Sequence, residues 1–317
     1  MIAFGPVPSR RLGRSLGINN IPPKICSYAC VYCQLGRTLK MRTQRAAFYP
    51  PDEVVNSVQE KLGRAQKSGQ MVDYLAFVPD GEPTLDIHLG QEIALLKQLH
   101  LPVAVITNAS LIGRSDVREE LGSADWVSLK LDAVDEAVWR RINRPQRTLN
   151  LSSILEGAIA FAGAFGGELV TETMLVAGVN DGERELEAVA RFLGRLRPKR
   201  AYLSIPTRPP AETWAQGPDE LVINRAYQIL ANHVDRVEYL IGYEGNAFAY
   251  TGHVEQDLLS ITAVHPMRQD AVSEFLTRAN SEWSVVSQLL ARGELVEAEH
   301  RGHTFYLRKL RAPLDPG

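Results

Sequence analysis

The chain has 317 residues, 45% of them apolar, and a formal net charge of −2. That length accommodates one large α/β domain and a small one around a sizeable core. The near-neutral balance argues against bulk electrostatic binding of nucleic acid, and no apolar run approaches the ~20 residues needed to cross a bilayer.

No Asp or Glu precedes Asp52, whereas Arg10, Arg11, Arg14, Lys24, Arg37, Lys40, Arg42 and Arg45 all do. A one-signed segment of this kind favours an anionic ligand or cofactor, or else forms a solvated basic arm. We expect Arg10, Arg11 and Arg14 near the mouth of the site. A strand is expected near 15–18. Nothing at the N-terminus reads as a secretion signal, so a reducing cytoplasm is the expected compartment.

Next come Cys26, Cys30 and Cys33, the chain's whole thiol supply. A gap of three residues and then two lets one short loop aim three thiolates at a common centre. A zinc site needs a fourth ligand, and the next histidine is His88. A redox CxxC pair would leave Cys26 idle. Three thiolates on a four-iron cluster leave one iron open for chemistry.

From residue 52 onward, helical patterns (52–66, 88–99, 135–142, 152–164, 183–196) alternate with strand patterns (74–78, 103–107, 126–131, 169–176, 201–205). Strands and helices alternating in this way imply βαβ units and a parallel sheet. Ligands of such sheets gather at the carboxyl ends of the strands. Those ends are polar here: Asp80-Gly81-Glu82-Pro83-Thr84, Thr107-Asn108-Ala109-Ser110, Lys130-Leu131-Asp132 and Pro206-Thr207-Arg208. Ser128, Lys130 and Asp132 share one strand face, while Val127, Leu129 and Leu131 share the other. Lys130 and Asp132 therefore line the barrel mouth or form a structural ion pair. A Pro-rich loop (209–218), a helix (219–233) and an apolar stretch (237–241) follow. The domain boundary is expected in the glycine-bearing connection 242–252.

The tail reads as helices at 254–264, 269–278 and 282–291, then strands at 293–297 and 303–307 around Arg301-Gly302. Three helices and a hairpin resemble a winged helix. Residues 254–317 carry seven Arg or Lys against nine Asp or Glu. That balance makes a protein-binding or lid role as consistent with the tail as RNA binding.

CxxxCxxC with Tyr32 before the last cysteine resembles the signature of the radical S-adenosylmethionine (SAM) superfamily. The resemblance implies a [4Fe–4S] cluster on Cys26, Cys30 and Cys33, with SAM as cosubstrate. It further implies cleavage of SAM to methionine and a 5′-deoxyadenosyl radical that abstracts substrate hydrogen. A flavodoxin- or ferredoxin-like electron donor and a partial (β/α)6 TIM-like barrel are implied as well. Asp80-Gly81-Glu82-Pro83 resembles the superfamily's GGEP motif, with Asp80 in place of the first glycine. Gly81, Glu82 and Pro83 are thereby implied in holding the SAM amino group. Thr107, Asn108, Lys130 and Asp132 match strand ends that hold the SAM carboxylate and ribose. Tyr32, Asn180 and Ile205 are implied contacts to SAM or substrate. Glu172 is either such a ligand or an ion-pair partner of Lys130.

Gly5-Pro-Val-Pro-Ser-Arg-Arg-Leu-Gly-Arg-Ser-Leu-Gly-Ile18, Asn180-Asp181 and Ser204–Pro209 resemble a narrower Fe–S oxidoreductase group related to wyosine-synthesising tRNA enzymes. Those enzymes carry a second cluster on further cysteines, and this chain has none to spare. The expected fold is α/β: a partial barrel over 1–250 and a small winged-helix-like α+β domain over 251–317. Three functions remain open on the residues. One is a radical SAM enzyme acting on a tRNA nucleoside or a small anionic molecule. The others are a glycyl-radical activase of a partner protein and a redox-sensing regulator that couples a cluster to a winged helix. An RNA or protein partner is expected at 251–317, and no membrane association.

Overall fold

In the computed structural model, residues 2–242, 246 and 248–309 are described. Residues 243–245 and 247 of the expected 242–252 connection, and 310–317 of the tail, lie outside them.

The chain opens with an antiparallel pair, β1 (Ala3–Ser9) and β2 (Gly13–Ile18). Two short strands, β3 (Ile25–Cys26) and β4 (Lys40–Met41), then bracket the cysteine loop. The repeating part follows: α1 (Pro51–Lys67), β5 (Tyr74–Phe77), α2 (Leu89–Lys97), β6 (Val103–Thr107), α3 (Ser115–Leu121), β7 (Trp126–Lys130), α4 (Glu136–Ile142) and α5 (Leu151–Ala164). It continues through β8 (Glu168–Met174), α6 (Glu183–Leu196), β9 (Arg200–Ser204), α7 (Glu220–Ala231) and β10 (Val237–Leu240). Eight strands form one sheet in the order β1-β2-β5-β6-β7-β8-β9-β10. From β2 to β10 all neighbours are parallel. The sheet curls into a half-barrel whose edges are β1 and β10.

The two faces of the sheet carry different chemistry because side chains alternate along each strand. Outward residues such as Leu75, Phe77, Val103, Val105, Val127, Leu129 and Leu203 join the helices in the main core. The concave face is closed low down by Ala76, Ala104, Trp126, Val170, Tyr202 and Leu240. Leu12, from the β1–β2 turn, belongs to that inner cluster. The turn therefore plugs the barrel floor. Polar residues come one step higher on the same inward rows: Ser128 and Lys130 on β7, Glu172 on β8 and Ser204 on β9.

Within the eight-stranded sheet and its helices, three elements differ from the sequence expectation. β1 was not expected, because Pro6 and Pro8 argue against a strand; it survives as an edge strand, where a missing N–H is tolerated. α3 is short and highly charged. The 237–241 stretch supplies β10, so the sheet holds one parallel strand beyond the six expected.

Beyond residue 248 lie α8 (Val254–Val264), β11 (Met267–Arg268), α9 (Gln269–Arg278), α10 (Ser284–Ala291), β12 (Leu295–His300) and β13 (His303–Arg308). Their sheet runs β11-β13-β12, with Arg301 and Gly302 at positive φ in the hairpin turn. Leu258, Ile261, Phe275, Leu289 and Tyr306 build a separate core, which also takes Phe4 and Val7 from β1. A buried ion pair, Lys61 Nζ to Asp257 Oδ1 at 2.7 Å, fastens α8 to α1. No described helix is long and apolar enough to cross a membrane.

Candidate active site

The cysteine loop is shaped by the end of α4. Val31 N donates to Ile142 O (3.0 Å) and Ala29 N to Asn143 O (3.1 Å), while Trp139 Nε1 donates to the buried Tyr28 hydroxyl (3.1 Å). From the other side the loop rests on the Asp80–Pro83 turn: Lys24 N donates to Asp80 O (2.6 Å) and Glu82 N to Ile25 O (3.2 Å). The approach is so close that a Cβ on Gly81 would lie 1.9 Å from Ile25 O. Here the backbone leaves room for glycine alone.

Two amides face the sulfurs. Asn108 Nδ2 lies 3.4 Å from Cys26 Sγ and Asn143 Nδ2 lies 3.5 Å from Cys30 Sγ. Burial pushes the Cys26 thiol well up, the Cys30 thiol up to about 12, and the Cys33 thiol up as well. Metal entering this loop must therefore displace protons. Among the described residues, no three Cys, His, Asp or Glu side chains converge as ligands of a single ion. Three thiols on one loop, amide donors to the sulfurs and a glycine cradle fit a multi-atom iron–sulfur centre instead, whose cysteines bind different irons.

Beside Cys33 a cavity of about 250 Å³ opens into the half-barrel. Of the sequence-predicted residues, Tyr32, Cys33, Lys130 and Ile205 line it. Glu172 lines it too and accepts from Arg11 Nη1 (2.5 Å), Lys130 Nζ (3.2 Å) and Ser204 Oγ (2.9 Å). Burial alone would raise this carboxyl, but Lys130 and Arg11 pull it down to about 2. Lys130 thus pairs with Glu172, and its ammonium also lies 4.9 Å from the Tyr32 ring centroid. Asp132 instead accepts from the Tyr32 hydroxyl, from Asn143 Nδ2 (2.7 Å) and from Met174 N (2.8 Å). Burial raises its carboxyl against the pull of Lys130 and these donors.

The remaining predicted residues form the frame. Glu82 is fully engaged: Oε1 accepts from Thr107 Oγ1 (2.6 Å) and Thr84 Oγ1 (2.6 Å), and Oε2 from Asn108 N (2.8 Å). It stitches the end of β5 to the end of β6, and Pro83 begins the 3-10 turn after it. Asn180 donates to Asp132 O (2.9 Å) and Met174 O (2.8 Å) and accepts from Val176 N (2.9 Å), which shapes the loop after β8. Asp80 faces elsewhere. It lines another cavity, of about 350 Å³, against Ser260 and Glu294 of the C-terminal module, and burial raises its carboxyl to about 7.

Arg10 and Arg11 line the lumen, as expected. Arg14 does not: it pairs with Asp73, just before β5, at the opposite end of the strands. Arg14 stands at the start of β2, which runs parallel to β5, so its position along the strand fixes it at the barrel floor. The sequence reading named Arg208 only as part of a polar strand end, and it did not find Asn143 or Ser27, whose hydroxyl accepts from Asn108 Nδ2 at 2.9 Å. Asn143 gave no signal beyond an ordinary helix end. Arg208 donates to Gln34 Oε1 (2.6 Å) in the cysteine loop, and its Nη2 lies 2.9 Å from His265 Nε2 in the C-terminal module.

Comparison with known proteins gives a consistent result. The Radical SAM superfamily model matches residues 20–193. The chain is 44% identical over 313 residues to a UPF0026 protein of Methanocaldococcus jannaschii, covering 98% of this chain and 97% of that one. A UPF0026 protein of Helicobacter pylori is 34% identical over 211 residues, 66% of this chain and 67% of its own. Among solved structures, TYW1 with a lysine–pyruvate adduct bound matches with a TM-score of 0.54 at 18% identity, covering 70% of this chain and 74% of that one, a likeness of fold.

Proposed function

The chain belongs to the radical SAM superfamily, enzymes that use a [4Fe–4S] cluster and SAM, and from that premise we propose that Cys26, Cys30 and Cys33 hold its one protein-ligated cluster. The observation that carries this is the cysteine loop itself: three thiols, with amides facing two of the sulfurs, at the carboxyl ends of a half-barrel. When bound, the cluster supplies the electron that cleaves SAM to methionine and a 5′-deoxyadenosyl radical, which takes hydrogen from the substrate.

The chain's own residues do the positioning. We assign the SAM amino group to the turn at Gly81, Glu82 and Pro83, where Glu82 is locked by four donors and holds the turn rigid. The SAM carboxylate and ribose go to the neighbouring strand ends: Thr107, Asn108, Lys130 and Asp132. Tyr32 and Ile205 contact SAM or substrate from the lumen wall, and Asn180 shapes the loop after β8. Burying the reacting groups under this wall excludes water.

The substrate is a small anionic molecule in this reading, with a tRNA nucleoside as the alternative. Electrons come from a flavodoxin- or ferredoxin-like donor. Residues 251–317 form a winged-helix-like domain on a barrel spanning 1–250. The order helix–strand–helix–helix–hairpin supports that reading. The tail's slight acidic excess favours protein or barrel contact over RNA.

Electron paramagnetic resonance of the reduced, reconstituted protein tests the assignment. Adding SAM should change the cluster signal, because one iron has no cysteine. An unchanged signal would favour the redox-sensing regulator.

A further inference from the structure

Asn143 closes α4 and is buried, with 3% of its surface exposed. Its backbone shapes the chain: N donates to Trp139 O (2.9 Å), and O accepts from Ala29 N (3.1 Å), next to Cys30. Those bonds hold the cysteine loop whatever side chain stands at 143. The side chain is therefore separable from the loop's shape.

That side chain meets three groups. Its Nδ2 lies 2.7 Å from Asp132 Oδ2, 3.3 Å from Tyr32 Oη and 3.5 Å from Cys30 Sγ. The Tyr32 hydroxyl gives its own proton to Asp132, so all three neighbours are acceptors. This identifies the amide nitrogen, and not its oxygen, as the atom that faces them. One hydrogen goes to the Asp132 carboxylate, and the other is shared by the sulfur and the phenol oxygen. Asn143 thus stands between two anionic groups, a ligand sulfur and a carboxylate. Reduction by the electron donor adds one negative charge on the sulfur side. A hydrogen-bond donor there stabilises the reduced state more than the oxidised one. Without it the sulfur faces Asp132 unscreened, and like charge opposes the added electron.

We propose that Asn143 is a positioning residue for electron entry: its amide holds Cys30 Sγ beside Asp132 and raises the reduction potential of the cluster. This inference rests on the reading that Cys30 ligates a cluster. Of the two amides that face sulfurs, Asn143 is the one that also holds Asp132, to which the SAM carboxylate or ribose is assigned. It joins the point of electron entry to the seat of the cosubstrate, as an outer group that orients a ligand.

The test is an anaerobic redox titration of the reconstituted full chain without SAM, followed by electron paramagnetic resonance. Asn143→Leu, close in size but without a donor, should bind as much iron as the native chain. Its reduction should be roughly tenfold less favourable, a midpoint lower by about 59 mV for one electron. Asn143→Ser, too short to reach the sulfur, should show the same fall and serves if Leu does not fit. Arg14→Gln, at the barrel floor, should keep the native midpoint. A midpoint in Asn143→Leu or Asn143→Ser equal to or above native, or an equal fall in Arg14→Gln, would overturn the proposal. So would failure of both Asn143 variants to bind iron that the native chain binds, since Asn143 would then serve assembly rather than potential. A native chain that binds no four-iron cluster would refute the cluster reading itself.

Discussion

Gly81 is the position where one methyl group would do most harm. A Cβ there meets Ile25 O at 1.9 Å, and Ile25 precedes Cys26. Gly81→Ala should push the cysteine loop off its turn, at a cost of roughly 1–3 kcal/mol. Iron content after reconstitution should fall with it; full loading at native stability would contradict the packing argument. Glu172 shows the opposite case, a charge that the site needs. Its carboxyl lies at about 2 rather than 4.5, so its stabilisation is present above 4.5 and fades as pH falls from 4.5 towards 2. Glu172→Gln should cost about 1–3 kcal/mol at neutral pH by leaving two half-buried cations without their carboxylate. Its unfolding should also depend less on pH in that acid window. Equal acid sensitivity in native and variant would place the stabilisation elsewhere. Cys26, Cys30 and Cys33 were legible from spacing alone, because a loop of eight residues is a local object. The pairing of Arg11 with Glu172 was not: the two lie 161 positions apart, and only the fold joins them.

At the scale of elements, the Asp80–Pro83 turn owes its shape to support from behind. Arg45, buried, donates to Thr84 O (2.9 Å) and Asp86 O (2.5 Å) and pairs with Asp116 and Glu120 on α3. Glu92 on α2 is fully buried, with the Asn20 side chain beside it and no cation among the groups that set its charge. Burial pushes its carboxyl up to about 9, so it keeps its proton at neutral pH. The unfolded chain ionises this group above 4.5, so stability declines as pH rises from 4.5 towards 9. Glu92→Gln mimics the protonated form and should stabilise the protein by roughly 1–3 kcal/mol at about pH 8 and hardly at all at about pH 4. Thermal melts at both values check this; destabilisation at the higher pH would mean that Glu92 is charged in the fold. Strand positions were legible where apolar runs are bounded by turn residues, as at β5, β6 and β7. β1 was hidden by its prolines, and α3 by a sequence too short and polar to show a helical face.

At the scale of the molecule, the C-terminal module is part of the barrel's wall. β1 gives Phe4 and Val7 to the module's core, and Lys61 on α1 reaches Asp257 and Thr251. His265 and His300 approach Arg208 and the Pro206 carbonyl, in the loop that lines the lumen. Lys61→Ala would leave Asp257 buried without its cation, at about 3–5 kcal/mol. Hydrogen exchange should then accelerate across α8 and the β12–β13 hairpin before it does in the barrel; uniform exchange would mean that the pair does not hold the module. The sequence pattern indicated the module's elements, but no local pattern could reveal that it docks on β1 and on the loop after β9. That docking depends on long-range contacts alone.

The most direct test of the central claim is chromatographic detection of 5′-deoxyadenosine after reduced, reconstituted protein meets SAM. The native chain should release it, and Cys26→Ala, Cys30→Ala and Cys33→Ala should each abolish it. A native chain that binds a four-iron cluster but forms no 5′-deoxyadenosine, or a cysteine variant that still forms it, would contradict the account.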